Sequence, residues 1–365
     1  MTSQTLIIPP TASLLHTTLS LAAAHHAGDH KALLSRADFT AEKLRRAVTE
    51  AEQFHAAFHQ TTAVILPDRG MVDRPGKAEQ KFIRQAGGIA AAVVAKLGSN
   101  SIAKRRPDDA TPFLSHVQSR LNHGAPLLLR LGAGPVKNVQ HYGGHQSPDL
   151  AEFLMLTQLV RTVSAVATLY PHGVQVQMVP DDKRGGDANL WPPDYGKRYI
   201  GGLQRLTRAL GHDGWLSIED GQERLYAQYR VAAFKQAAEE NLRRWANTDP
   251  ADYQAKMAKA TAKAGDNLAS PTQVTPEAAQ ASAWRYWVAL KAEEMSGIFA
   301  PHDAFPLRYG NHPNSFQLYT MGAGLTKLPW QVALPVALLS EQTEPVAPQR
   351  PAFIPQRYPQ LAYAS

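Results

Sequence analysis

The chain has 365 residues, enough for one large or two modest domains and for a core that needs no staples. Hydrophobic residues at 44% and charged residues at 19% exclude wholesale disorder, and the absence of cysteine excludes disulfides, thiolate nucleophiles, iron–sulfur clusters and cysteine-held zinc. A net charge of +7 points to nucleic acid, an anionic surface or a small anionic substrate. The charge is scattered, which fits a small anion better than a duplex.

The N-terminal residues 1–28 are apolar in flavour but lack a basic start and are broken by Pro9-Pro10, so no signal peptide is expected. No run reaches the roughly 18 apolar residues of a membrane span. A cytoplasmic protein without membrane contact is therefore expected. Thr40 is the predicted N-cap of a helix over residues 40–59, with Ala47, Ala51, Phe54 and Phe58 at helical spacing. TTAVILP (61–67) suggests a short buried strand, and DRGMVDRPG after it a loop. A second helical run over 77–97 is loosened by Gly87-Gly88. The densest basic cluster, Lys104-Arg105-Arg106, precedes Pro107-Asp108-Asp109 and reads as a solvated loop.

LLLRLG (127–132) predicts a strand, followed by the loop AGPVKNVQHYGGHQSP. Asp149 opens a long helix whose apolar face carries Leu150, Phe153, Leu154, Leu156 and Val160. Pro171-His172-Gly173 stops it, and VQVQMV alternates as a strand does. Strand, helix and strand in this order predict two parallel strands in one sheet, with WLSIED (215–220) a third. Helix formers dominate from 220 to 297, including the Ala/Lys segment AKMAKATAKAG, and a loop covers 265–277. Trp284, Tyr286 and Trp287 beside Arg285 could suggest a nucleic-acid platform, but their helical spacing fits core and boundary positions. FPLRYG, SFQLYTMG and LPWQVALPVAL predict short C-terminal strands. Prolines at 345, 348, 351, 355 and 359 predict an extended tail.

The signatures of nucleotide loops, serine hydrolases, zinc proteases and calcium hands are absent from the sequence. LRLGAGPVKN is the nearest to a phosphate loop, because Gly132, Gly134 and Lys137 follow a strand, and ligands of open α/β sheets gather beyond carboxyl strand ends. Asp181-Asp182-Lys183-Arg184 and Arg308 stand at two further strand ends, the latter just before Asn311-His312-Pro313. His141, His145 and Asp149 admit two readings. They could form a metal triad of a metal-dependent enzyme, or a glycine loop followed by a helix cap, with Glu152 completing a capping box.

The ordered motifs between residues 110 and 335 resemble the isonitrile synthase family, also called the pyoverdine/dityrosine biosynthesis family. The family's loop FPxKSPN compares with GPVKN, its Pro-Asp-x-x-Glu helix start with Pro148-Asp149-Leu150-Ala151-Glu152, and its Tyr-Pro-x-Gly break with Tyr170-Pro171-His172-Gly173. Its Ser-Asp-Gly-Arg cluster compares with Pro180-Asp181-Asp182-Lys183, its later tyrosine with Tyr199, and its Leu-Glu-Asp with Ile218-Glu219-Asp220. Its C-terminal Arg, His-Pro and Pro-Trp-His compare with Arg308, His312-Pro313 and Pro329-Trp330-Gln331. The chain departs from the pattern in the Ser-Pro-Asn of the loop, in lysine for arginine at 183, and in Gln331 for histidine.

The resemblance implies condensation of an L-amino acid with ribulose 5-phosphate to form an isonitrile, without metal or redox cofactor. It carries Asp181, Asp187 and His312 over as proton-transfer candidates. Lys137, Lys183 and Arg308 follow as the cations for substrate anions, and Asn138 and Tyr199 as further substrate-binding positions. The expected partners are therefore small molecules, namely the amino acid and the pentulose phosphate, and not nucleic acid. The expected fold is α/β, a Rossmann-like, mostly parallel sheet flanked by helices. Its parts are a helical region (1–110), a βαβ core (111–220), a helical insertion (221–297), C-terminal strands (298–340) and a proline-rich tail (341–365).

Overall fold

The computed structural model describes residues 41–60, 75–136, 148–192, 194–264, 275–310, 314–322, 328–331 and 334. Strand β1 is Ala103–Arg105, β2 Leu127–Ala133, β3 Val174–Pro180, β4 Leu216–Ile218, β5 Phe305–Arg308 and β6 Phe316–Leu318. They form one sheet in the order β1-β6-β5-β2-β3-β4, parallel throughout except for β1 on β6. The fold is thus the expected mixed α/β one, a mostly parallel sheet flanked by helices.

Alternation sorts the side chains of the central strands onto two faces. Leu127, Leu129, Leu131, Val174, Val176, Met178, Phe305 and Leu307 point into the main apolar core. Through that core runs α5 (Leu150–Ala167), the crossover helix between β2 and β3. Helices α1 (Ala41–Gln60), α2 (Lys77–Ala86), α3 (Ile89–Leu97), α4 (Thr111–Asn122) and α7 (Lys197–Ala209) contribute to the same core. Gly87 and Gly88, at φ of 88° and 127°, separate α2 from α3 where the sequence suggests one loosened run. Because α1, α3 and α7 cover it as well, α5 is buried beyond the single face its pattern suggests, with Met155, Leu159 and Val163 enclosed too. It is long and apolar enough to cross a membrane, and 83% of it lies inside the protein.

The start of α5 is fixed by a capping box. Asp149 accepts from the Ala151 amide, Glu152 accepts from the Asp149 amide, and Asp149 also accepts from the distant Leu334 amide at 2.9 Å. Glu152, fully buried, accepts the Tyr199 hydroxyl at 2.7 Å. Asp149 is therefore a helix cap with both oxygens engaged, the second of the two readings its sequence position admits; His141 and His145 lie outside the described residues. Burial and Glu152 together push the Tyr199 phenol well above its ordinary range, so it stays a donor.

The opposite sheet face is polar. Arg130 of β2 donates to Gln177 of β3 and in bidentate fashion to Asp303, which also accepts from Tyr229 and Gln228. Burial opposes the Asp303 charge, but the donors from Arg130 and Tyr229 outweigh it and hold the carboxyl well below the usual range. This face is covered by helices α8 (Glu223–Gln228), α9 (Lys235–Thr248) and α11 (Pro276–Ser296), whose core joins Val179, Leu225, Val231, Leu242, Val288 and Ile298. Helix α10 (Pro250–Ala264) packs on α11 outside them. Trp284 and Trp287 are packed into these contacts, as their helical spacing suggests, and Arg285 donates twice to the Ala188 carbonyl.

Two local expectations are corrected. Lys104 and Arg105 of the basic triplet lie in the edge strand β1, exposed beside a buried Ala103, and Arg106 follows it; charged residues on a short edge discourage further pairing. Pro329–Gln331 is a 3-10 turn instead of a strand, because Trp330 packs against the end of β2. TTAVILP and the 265–274 part of the expected loop lie outside the described residues.

Asp149→Ala should lower stability by about 2 kcal/mol, since it strands two buried amides at the start of α5. Urea unfolding with an unchanged slope measures this; an unshifted midpoint would contradict the cap.

Candidate active site

The chain lays β3 and β4 on one side of β2, then returns to lay β5 and β6 on the other. Such a reversal opens a crevice beyond the carboxyl ends of the strands on either side of it. Three chain segments reach it. Beyond β2 run Gly134, Pro135 and Val136, beyond β3 stands Asp181, and β5 ends on Arg308. The Asp181 amide donates to the Ala133 carbonyl at 2.8 Å and ties two of these ends together. Gly134 is required for space: a Cβ there would lie 2.3 Å from Trp330 Cγ, and the indole in turn meets Tyr309 edge-on.

Asp181 leads into the short helix α6 (Asp182–Asn189), one turn of which returns Arg184 to its carboxylate. Arg184 bridges Asp181 Oδ2 and Glu293 Oε2, the latter on α11. Glu293 is fully buried, and its other oxygen accepts the Tyr226 hydroxyl from α8. Gln222 supports the group: its Nε2 lies 3.2 Å from Asp181 and 3.4 Å from Glu293, while its Oε1 accepts the Arg184 amide at 3.1 Å. The Asp181 side chain keeps 29% of its surface exposed and is the open edge of the cluster.

Burial raises both carboxyls above their ordinary range; Arg184 and Arg308 offset this only in part at Asp181, and Arg184 does so at Glu293. Burial opposes the Arg184 charge as well, but Asp181 and Glu293 hold that guanidinium well above its usual value.

Arg308 differs from Arg184 in having no carboxylate at hydrogen-bond distance among the described residues. Its guanidinium carbon sits 3.5 Å from the centre of the Phe299 ring, and its Nη2 is buried with no hydrogen-bond partner there. Burial and the neighbouring Arg184 pull its pKa down to about 10, which leaves it charged at neutral pH. A buried, charged donor without an acceptor is costly unless something occupies it. The arrangement can hold an oxyanion against Arg308 near the paired carboxyls of Asp181 and Glu293.

The structure thus brings Asp181 and Arg308 to adjoining strand ends. Lys183 projects from the far side of α6 to Glu223 at 3.0 Å, and Asp187 pairs with Lys235 at 3.4 Å, both half in solvent. Tyr199 is spent on Glu152 under the start of α5. These three do not join the Asp181 cluster. Lys137, Asn138 and His312 lie outside the described residues, and Gln331 lies in the turn beside Trp330.

Sequence reasoning missed Gln222, Tyr226 and Glu293, and it named Arg184 only as part of the charged cluster after β3, without a role. Arg184, one residue after Lys183, is brought back over Asp181 by a helical turn. Glu293 carried a usable signal, a carboxylate on the buried stripe of α11 that includes Ser282, Ala289 and Ala292.

No family model matches the chain, and no curated protein matches it. Among solved structures, the PvcA protein of Pseudomonas aeruginosa is similar with a TM-score of 0.50 at 18% identity, over 67% of this chain and 88% of that one. At that identity the likeness is one of fold.

Gly134→Ala should displace Trp330 and destabilise by about 1–3 kcal/mol. Gly186→Ala, in α6 with nothing within 4 Å of the added carbon, serves as the neutral comparison. Equal unfolding midpoints for the two variants would contradict the packing of Trp330 on Gly134.

Proposed function

We propose that the protein is an isonitrile-synthase-like biosynthetic enzyme of the cytoplasm that condenses an L-amino acid with ribulose 5-phosphate. The observation that carries the reading is the buried Arg308 Nη2, without a hydrogen-bond partner among the described residues and close enough to the Asp181 carboxylate to feel its charge, at the point of the sheet where α/β proteins place their ligands. The ordered motifs support it, as does the PvcA-like fold.

In this reading the substrate phosphate or carboxylate docks on Arg308, and Lys137 and Asn138, which follow β2 in the sequence, are the further binding positions that the resemblance assigns. Fixed cations held by the fold need little rearrangement as the reaction proceeds. The amine adds to the sugar ketone and water leaves as the imine forms, which moves protons from nitrogen to oxygen. The carbon–carbon cleavage that releases the isonitrile carbon from the rest of the sugar then needs further proton transfer. Asp181 performs these transfers: burial raises its carboxyl above the ordinary range, and its side chain keeps part of its surface exposed. His312 is the second proton carrier that the resemblance assigns. Tyr199 acts through Glu152 by fixing the start of α5. Lys183 and Asp187 face solvent-side partners and have no part in the chemistry.

Incubating the protein with ribulose 5-phosphate and a panel of L-amino acids, with mass-spectrometric detection of an isonitrile, tests the reading. One amino acid should yield product, and Lys137→Ala or Arg308→Ala should each reduce turnover about a hundredfold or more with the protein still folded. No product from any amino acid, or full turnover by both variants, would overturn it.

A further inference from the structure

Asp181 and Glu293 share two donors. Arg184 gives Nη2 to one and Nη1 to the other, and Gln222 Nε2 lies within 3.4 Å of both. One guanidinium balances one of the two charges. Among the described residues, the further positive charge acting on the pair is Arg308, which makes no hydrogen bond to either carboxylate. An oxyanion taken up by Arg308 Nη2 therefore offsets the positive charge that favours ionisation of the second carboxylate. Two carboxylates on one guanidinium with a third anion alongside are stabilised by a proton held between them.

We infer that the Asp181–Glu293 pair takes up one proton as an oxyanion docks on Arg308, and gives it back when the anion leaves. Asp181, the exposed member, presents this proton to the ligand, and Glu293 is the positioning residue that makes the pair. The inference rests on the proposed reading of the crevice as an anion site and adds the proton linkage to it. The proton comes from solvent and returns there, so no other reactant is involved.

Among the described residues, the surrounding groups leave this role to the pair. Tyr226 of α8 donates to Glu293, and burial pushes its phenol far up, so it remains a donor. Asp182 of α6 is engaged by the Gln222 amide at 2.7 Å. Tyr286 of α11 offers its ring to Arg184 at 5.6 Å, and Glu294, which faces Arg308, pairs with Lys291 at 2.8 Å. Lys183 and Glu223 pair with each other on the outer side of α6. The helices over the polar sheet face thereby supply half of the acid pair.

Calorimetric titration of the full chain with sulfate, an anion without a proton of its own near neutral pH, tests the inference. Run at one pH in buffers of contrasting ionisation enthalpy, the dependence of the heat on the buffer counts the protons taken up. About one proton is expected for the unaltered protein and close to none for Glu293→Gln, whereas Glu293→Asp should restore uptake. Affinity should weaken with rising pH, approaching tenfold per unit, because the bound form holds the extra proton. Arg308→Gln should abolish the binding.

Sulfate binding with no dependence on buffer overturns the inference and leaves the anion site standing, as does binding that survives Arg308→Gln if ribulose 5-phosphate binding does not. Failure of both sulfate and ribulose 5-phosphate to bind overturns the inference and the functional reading together. Should Glu293→Gln fail to fold, the buffer dependence of the unaltered protein decides alone.

Discussion

The Arg184 guanidinium, held between Asp181 and Glu293, is the interaction on which the arrangement depends. It joins the carboxyl end of β3 to α11 across the polar face of the sheet, linking residues 109 apart in the chain. With an 11% exposed guanidinium and a fully buried Glu293, the charges have left water and are tolerable only because each finds an opposite charge and further hydrogen bonds. Loss of one partner would leave an uncompensated buried charge, a cost of about 3–5 kcal/mol. The helices over this face are therefore tied to the sheet by charge as well as by the apolar core around Val179, Leu225 and Val288.

A second ion pair repeats the theme further along the strands. Arg130, Gln177, Asp303 and Tyr229 form a closed network in which the carboxylate of Asp303 meets four donors. The two clusters differ where it counts. At Asp303 the described charges and donors are matched, which suits a strut. At the strand ends Arg308 retains a buried donor with no partner among the described residues, which suits a ligand. Two arginines on one face of one sheet are thus separated in role by their partners alone.

Features decided within a few residues were legible in the sequence. The alternation of VQVQMV gave β3, and the cap of α5 lay in Asp149 and Glu152, three residues apart. Features decided by distant partners were not. Lys104 and Arg105 read as a loop because only pairing with β6 makes them a strand. Pro329–Gln331 is a turn because Trp330 packs on Gly134, a contact across the chain. The site divides in the same way. Asp181 and Arg308 stand at strand ends and could be picked out by position, whereas Glu293 and Tyr226 arrive from helices whose docking no local pattern announces. Tyr199 was legible as a position but not as a role, since its hydroxyl is committed to Glu152.

The central claim is that the crevice beyond β2, β3 and β5 holds the substrate anion on Arg308. Determining the crystal structure of the protein with ribulose 5-phosphate bound tests it most directly. The account predicts the sugar phosphate in that crevice, with an oxygen on Arg308 Nη2 and Asp181 within hydrogen-bond reach of the sugar. A ligand lying elsewhere, with Arg308 partnered by the protein itself, would contradict it.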